Sequence, residues 1–164
     1  MDFEKLTEKV RSFVQQAHTL AARRNHQLLE PQHLLKTMLD DQGGVTRKLL
    51  SAAGADIEAL KNSLDYEISV LPEVSGAGAG QVHFSKNISK IFNKADELAS
   101  KAGDSYITVE RVLQAMLLAK ALKISSLLQK AGVSDTDLNN AINSIRKGRT
   151  ADTPHSEDQF DALN

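Results

Sequence analysis

Three histidines are the residues of this 164-residue chain best suited to metal or proton-transfer chemistry: His18, and the pair His26 and His33. A zinc site needs three or four converging ligands. The chain has no cysteine, so thiolate ligands and disulfides are excluded. A loop and a helix start separate His26 from His33, and satisfied or solvent-facing imidazoles account for all three more simply than a metal does. The acidic pair Asp40-Asp41 sits at a helix end and reads as solvated charge. Neither a Gly-x-Ser-x-Gly elbow nor a His-Glu-x-x-His metal motif is present. The glycine-rich run from Leu71 to Gln81 is followed by no Lys-Ser/Thr pair, which removes phosphate-loop chemistry and leaves a flexible surface connection. The residue types therefore point to no catalytic or metal centre, and a protein-binding module is the reading that remains.

The elements that position these residues come from a duplication. Shifted by 78 positions, the chain aligns with itself without gaps: Val10 falls on Ile88, Phe13 on Ile91, Ala17 on Ala95, Leu34 on Val112, Met38 on Met116, Leu49-Leu50 on Leu127-Leu128 and Gly54 on Gly132. A one-residue slip would scramble a helical face, so the match of apolar positions marks one duplicated helical unit. The unit is longer than solenoid repeats, which predicts two pseudo-symmetric halves with a seam between them.

Helical periodicity places a first helix over about 8–24, with Thr7 as its N-cap and Ser85 capping its repeat mate. Further pairs are predicted at 31–40 and 109–119, 45–53 and 123–131, and 56–70 and 134–147, with Thr108 as a cap and Pro31 in a first turn. Gly54 and Gly132 supply left-handed residues that close helices. The expected fold is all-α: two pseudo-twofold-related four-helix repeats in one globular domain. Its divisions are a first repeat at 1–71, a flexible connection at 72–84, a second repeat at 85–148, and a disordered tail or start of a linker at 149–164.

Net charge is −1 with both signs interspersed, which argues against a nucleic-acid partner. No stretch approaches a membrane span, and the charged N-terminus lacks an apolar signal core. These features, and the lack of cysteine, suit the cytoplasm.

Several segments carry a resemblance. Met1-Asp2-Phe3-Glu4-Lys5-Leu6-Thr7, Glu30-Pro31-Gln32-His33-Leu34-Leu35, Leu71-Pro72-Glu73-Val74-Ser75-Gly76, Ala102-Gly103-Asp104-Ser105-Tyr106-Ile107-Thr108-Val109-Glu110 and the stretch Ser156 to Leu163 together resemble the two-repeat N-domain of the Clp ATPases. Within that family they resemble the ClpB-type AAA+ disaggregases. The resemblance implies a non-catalytic domain that engages unfolded or aggregated polypeptide and helps deliver it to a hexamer pore. It implies no cofactor for this chain, with ATP and magnesium bound elsewhere in a longer protein. That protein would be a homohexameric ATPase working with the DnaK system, whereas this chain alone is expected to be monomeric. An adaptor-docking domain of a proteolytic Clp ATPase is the alternative.

The resemblance also marks three polar positions near the seam, kept here as Thr7, Asp104 and Glu110. Each has a structural role open to it as well, as a cap, a loop residue or a first-turn acid. Phe92, Tyr106 and Val109 are the candidates for apolar contact with substrate, with Lys94 and Arg111 bringing positive charge nearby. Asp104 matches His26 and Glu110 matches Gln32, so the acids lie on one half only. This predicts an acidic-rimmed groove favouring segments with Lys or Arg. It also predicts that replacing both acids by alanine spares the helical content.

Overall fold

The computed structural model describes residues 2–76 and 80–162. The first half opens with a single 3-10 turn at Phe3–Lys5. It continues through α1 (Glu8–Arg23), α2 (Pro31–Asp40), α3 (Val45–Ala52) and α4 (Ile57–Ser69). The second half holds α5 (Lys86–Lys101), α6 (Val109–Leu118), α7 (Lys123–Lys130) and α8 (Asp135–Arg146). A short α9 (Ser156–Ala162) follows. The bounds of α1, α2 and α3 recur at α5, α6 and α7 with the 78-residue offset of the sequence repeat.

Local chemistry explains the matched starts. The Val10 N–H donates to Thr7 Oγ1 at 3.3 Å, and the Ile88 N–H donates to Ser85 Oγ at 3.0 Å. Each cap satisfies one of the orphan amides at a helix start. One face of α1 (Val10, Phe13, Val14, Ala17, Ala21) and the matching face of α5 (Ile88, Ile91, Phe92, Ala95, Ala99) are buried. The two halves share one apolar core. It is closed by α3 packing on α6 and α8, and by α4 packing on α7.

The glycine corners meet at the centre of this arrangement. Gly54 has φ +87° and Gly132 φ +103°, and a Cβ on Gly132 would stand 3.3 Å from the Gly54 carbonyl oxygen. The Asp56 N–H donates to the Ala131 carbonyl at 2.9 Å across the same junction.

Two features lie outside the helical expectation. Leu28–Leu29 (β1) and His83–Phe84 (β2) form a two-residue parallel pair, with Leu29 opposite Phe84. Leu6 and Ile107 make an isolated parallel bridge that is its repeat mate, because Leu6 corresponds to Phe84 and Ile107 to Leu29. Each bridge ties the segment entering one half to the loop of the other.

Of the segment 149–164, expected as a disordered tail or the start of a linker, residues 163–164 lie outside the described residues, and 149–162 are docked rather than disordered. Ala151, Ser156, Glu157 and Phe160 are buried, and the Glu8 N–H donates to the Pro154 carbonyl at 2.9 Å. The segment 149–162 thus runs back over the N-terminal ends of α1 and α6. One aromatic and one buried carboxylate anchor it, and neither creates helical periodicity. Of the expected flexible connection, residues 77–79 lie outside the described residues. Its earlier part is engaged: Glu73 bridges His26, and the Val74 N–H donates to the Asn25 carbonyl at 2.8 Å.

Candidate functional site

Thr7, Asp104 and Glu110 come together where α1 and α6 begin, but as buried groups. Thr7 and Glu110 are 0 % exposed, and the Asp104 side chain is also fully covered. Arg146, at the end of α8, organises them. Its Nη1 donates to Asp104 Oδ1 at 2.6 Å, its Nε to Glu110 Oε1 at 3.0 Å and its Nη2 to Thr108 Oγ1 at 3.0 Å. Arg111 Nε donates to Asp104 Oδ2 at 3.1 Å, and the Ala151 N–H donates to Asp104 Oδ1 at 2.9 Å. Burial by itself raises the Asp104 carboxyl. The hydrogen bonds from Arg146, Ala151 and Arg111 outweigh it and hold the group below the usual range. Arg146 is desolvated too, yet Asp104 and Glu110 push its pKa up.

These pairings overturn the acidic rim. Two arginines match the two acids, so the cluster is internally neutralised and presents no carboxylate edge to a ligand. Thr108 keeps its N-cap position, but its side chain makes no capping bond and its hydroxyl accepts from Arg146 instead. Residues bonded to Arg146 from 36 and 42 positions away cannot be read as pairs from local spacing.

Glu157 completes the site. Its Oε2 accepts from the Thr7 hydroxyl at 2.6 Å and from the Val109 N–H at 3.0 Å. Burial, then the nearby Glu110 charge, push its pKa up to about 7 against the pull of those two donors. Glu110 Oε2 is buried without a hydrogen-bond partner among the described residues. Phe160, 2 % exposed, lies 5.0 Å beneath the guanidinium carbons of both Arg146 and Arg149. Sequence reasoning missed Glu157, Phe160 and Arg146. The available signal was a lone aromatic three residues beyond an acid in an otherwise polar tail.

The apolar candidates divide. Phe92 is 2 % and Val109 0 % exposed, so both belong to the interior and present no surface to a ligand. Tyr106 is half-buried, and its N–H donates to the Ala151 carbonyl at 3.1 Å. Lys94 lies on the α5 surface beside Glu97 at 3.7 Å. The accessible large apolar groups are others, Tyr66 and Val70 at the C-terminal end of α4 among them. Phe3 and Phe84 are about two-fifths exposed, with ring centroids 5.7 Å apart, and Leu28 is 46 % exposed.

The repeat mate of the Asp104–Arg111 pair is a pair of histidines. His26 Nδ1 and His33 Nε2 are 2.8 Å apart, and His33 Nδ1 accepts from the Glu30 N–H at 2.9 Å. That network assigns the His33 proton to Nε2, donated to His26. Burial, then His26 and Arg24, lower the His33 pKa to about 4. Among the described residues no group of three or more His, Asp or Glu side chains is placed to hold a metal ion. Nor is any single helix among them long and apolar enough to cross a membrane.

The fold and this buried seam define a duplicated helical domain whose two four-helix repeats share one core. The chain belongs to the Clp repeat (R) N-terminal domain family, whose pattern matches residues 5–131. It is 44% identical to the chaperone protein ClpB of Mesorhizobium japonicum over 163 residues, covering 99% of this chain and 19% of that protein. It is 45% identical to ClpB of Rhodopseudomonas palustris, covering 99% of this chain and 18% of the relative. The chain therefore spans about a fifth of the length of these relatives. Among solved structures, the Hsp104 N-terminal domain from Candida albicans superposes with a TM-score of 0.79 at 18% identity, covering 93% of this chain and 99% of that one. A complex of the ClpV N-domain with a VipB peptide superposes with a TM-score of 0.71 at 20% identity, covering 92% of each chain.

Proposed function

We propose that this chain is the substrate-engaging N-terminal domain of a ClpB-type ATP-dependent disaggregase. It binds unfolded or aggregated polypeptide at the end of the molecule where Thr7, Asp104 and Glu110 converge. Extended identity to ClpB chaperones carries this reading. A ClpV N-domain of the same fold in complex with a peptide supports the further step that the fold holds segments of partner proteins. The domain itself does no chemistry. ATP and magnesium act in the ATPase modules of the full-length homohexamer, which works with the DnaK system in the cytoplasm.

In this reading Thr7, Asp104 and Glu110 shape the site from beneath, over the interior packing of Phe92 and Val109, with Tyr106 at its edge. Accessible apolar surface is what an unfolded chain recognises, and the Phe3–Phe84 pair supplies it beside the same seam. The test is titration of a permanently unfolded protein, reduced and carboxymethylated α-lactalbumin, into isotope-labelled chain. Saturable shifts at Phe3, Phe84, Ser105 and Tyr106 are expected. Absence of saturable binding, or shifts confined to the α3–α4 side, contradicts the reading. Tight binding to one dedicated partner with none to unfolded protein would favour adaptor docking instead.

A further inference from the structure

We propose that residues 149–162 are a displaceable, self-bound occupant of the site formed by Thr7 and Val109, and that this site takes acid-bearing segments with a large apolar side chain three residues beyond the acid. The proposal deepens the substrate reading above and rests on it for the identity of the natural ligand.

The geometry points this way because the site offers donors. The Thr7 hydroxyl and the Val109 N–H converge on a single oxygen, Glu157 Oε2. Val109 opens the ten-residue helix α6, so its N–H has no partner within that helix. The neighbouring Thr108 hydroxyl is engaged by Arg146. A buried acceptor is therefore required, and among the described residues Glu157 supplies it while Asp104 and Glu110 are bound to other donors. Asp104 is bound by Arg111, Arg146 and Ala151, and Glu110 Oε1 by Arg146.

The duplication provides an internal comparison. At the equivalent position Ser85 stands for Thr7, but Pro31 stands for Val109 and has no N–H to give. The donor pair of Thr7, from the first half, and Val109, from the second, has no counterpart at Ser85 and Pro31, so an acid can be held in this way at only one of the two equivalent positions. This asymmetry reverses the preference for basic segments that Asp104 and Glu110 suggest by themselves.

The occupant is held incompletely. Glu157 is brought against the Glu110 charge, and Glu110 Oε2 is left without a hydrogen-bond partner among the described residues. The outer contacts are exposed ion pairs, Lys9 with Asp158 at 3.7 Å and His155 with Glu8 at 3.3 Å. Such pairs contribute little. At seven residues α9 is too short to persist as a helix once detached, so docking also carries an ordering cost. The main anchors are the Glu157 carboxylate and the buried Phe160 ring. A segment offering the same two groups competes for the same place.

The experiment uses the whole chain and a fluorescent synthetic peptide of residues 149–162. In an E157K/F160A chain the built-in segment is released. The peptide should bind this variant about tenfold or more tightly than the unsubstituted chain, because an occupied site lowers apparent affinity by its vacant fraction. Peptides carrying Glu157→Ala or Phe160→Ala should lose that binding. The Val109, Glu8 and Ser105 amide shifts should move in the variant and return when the intact peptide is added. Equal binding to both chains, or no binding to a variant with intact helical circular dichroism, overturns the proposal. If the double variant unfolds, the F160A chain and excess peptide against the unsubstituted chain report the same amides. Unfolded α-lactalbumin separates the two readings. Tighter binding to the released variant supports both. Equal binding to the two chains, with the peptide still discriminating, keeps the self-bound occupant and places substrate elsewhere.

Discussion

The Thr7 hydroxyl donates to Glu157 Oε2 at 2.6 Å across 150 positions of chain. This contact joins the cap of the first helix to the last described helix, and it closes the seam of a duplicated domain with a residue from outside both repeats. The same Thr7 oxygen accepts the Val10 N–H. Capping and site formation are therefore two uses of one hydroxyl, and Thr7→Val should impair both.

Docking of the tail should weaken as pH rises. The Glu157 pKa is raised from 4.5 to about 7, burial being the main cause and Glu110 the next. An acid with a raised pKa stabilises the docked state fully below its undocked value, and the gain is lost as pH climbs through the raised one. The groups facing it are the Glu110 carboxylate, the Thr7 hydroxyl and the Val109 N–H. Limited proteolysis between residues 149 and 156 should be slower at pH 5 than at pH 8, after correction for protease activity. Glu157→Gln should remove most of that difference. A profile unchanged by that substitution contradicts the assignment.

Arg146 should be among the most sensitive side chains of the protein. Removing it leaves Asp104 and Glu110 buried without their shared cation, a loss of about 3–5 kcal/mol for a broken buried pair. Arg146→Lys should fail to restore stability, since an ammonium cannot reproduce the fork that reaches three side chains. Urea unfolding measures both. For the same reason the Asp104→Ala/Glu110→Ala double variant should be destabilised and lose helix. The sequence reading expected its helical content to survive.

Much of the fold is legible because its signals are local. Thr7 and Ser85 sit three residues before the amides they cap, and Gly54 and Gly132 sit two residues past helix ends. The repeat adds a check, since each signal occurs twice. The two-residue pairings of Leu29 with Phe84 and of Leu6 with Ile107 have no period to read. The site was legible only as a set of positions. Asp104 and Glu110 look like surface acids until Arg146 is placed beside them, and Phe92 looks available until α6 covers it. Residues 149–162 read as disordered because one buried ring and one buried carboxylate hold them, far from their partners in sequence.

The glycine corners give a graded test. Both need positive φ, but a Cβ on Gly54 meets nothing within 4 Å, whereas on Gly132 it meets the Gly54 carbonyl at 3.3 Å. Gly54→Ala should cost about 1 kcal/mol from backbone strain. Gly132→Ala should cost more, because the opposing backbone must also give way. Equal costs in denaturant melts would show that the two corners do not touch.

His33 should remain neutral well below the usual histidine range. Its pKa is lowered to about 4 by burial first, then by His26 and Arg24. Unfolded chains take up the proton near 6.5, so this group's contribution to stability is present at neutral pH and is lost as pH falls from about 6.5 toward 4. Ring resonances in a proton NMR titration should show His33 silent to about pH 4.5. A midpoint near 6.5 would mean that the His26–His33 contact is absent in solution.

The most direct test of the closed seam is hydrogen exchange at the Val109 amide in the whole chain. As the first residue of α6 it has no partner in its own helix and would exchange almost freely if the site were open. Bound to Glu157 Oε2, it should be protected, and Glu157→Ala should remove that protection while leaving Val112, bonded within the helix to Thr108, unchanged. Unprotected exchange at Val109 in the unsubstituted chain would contradict the account.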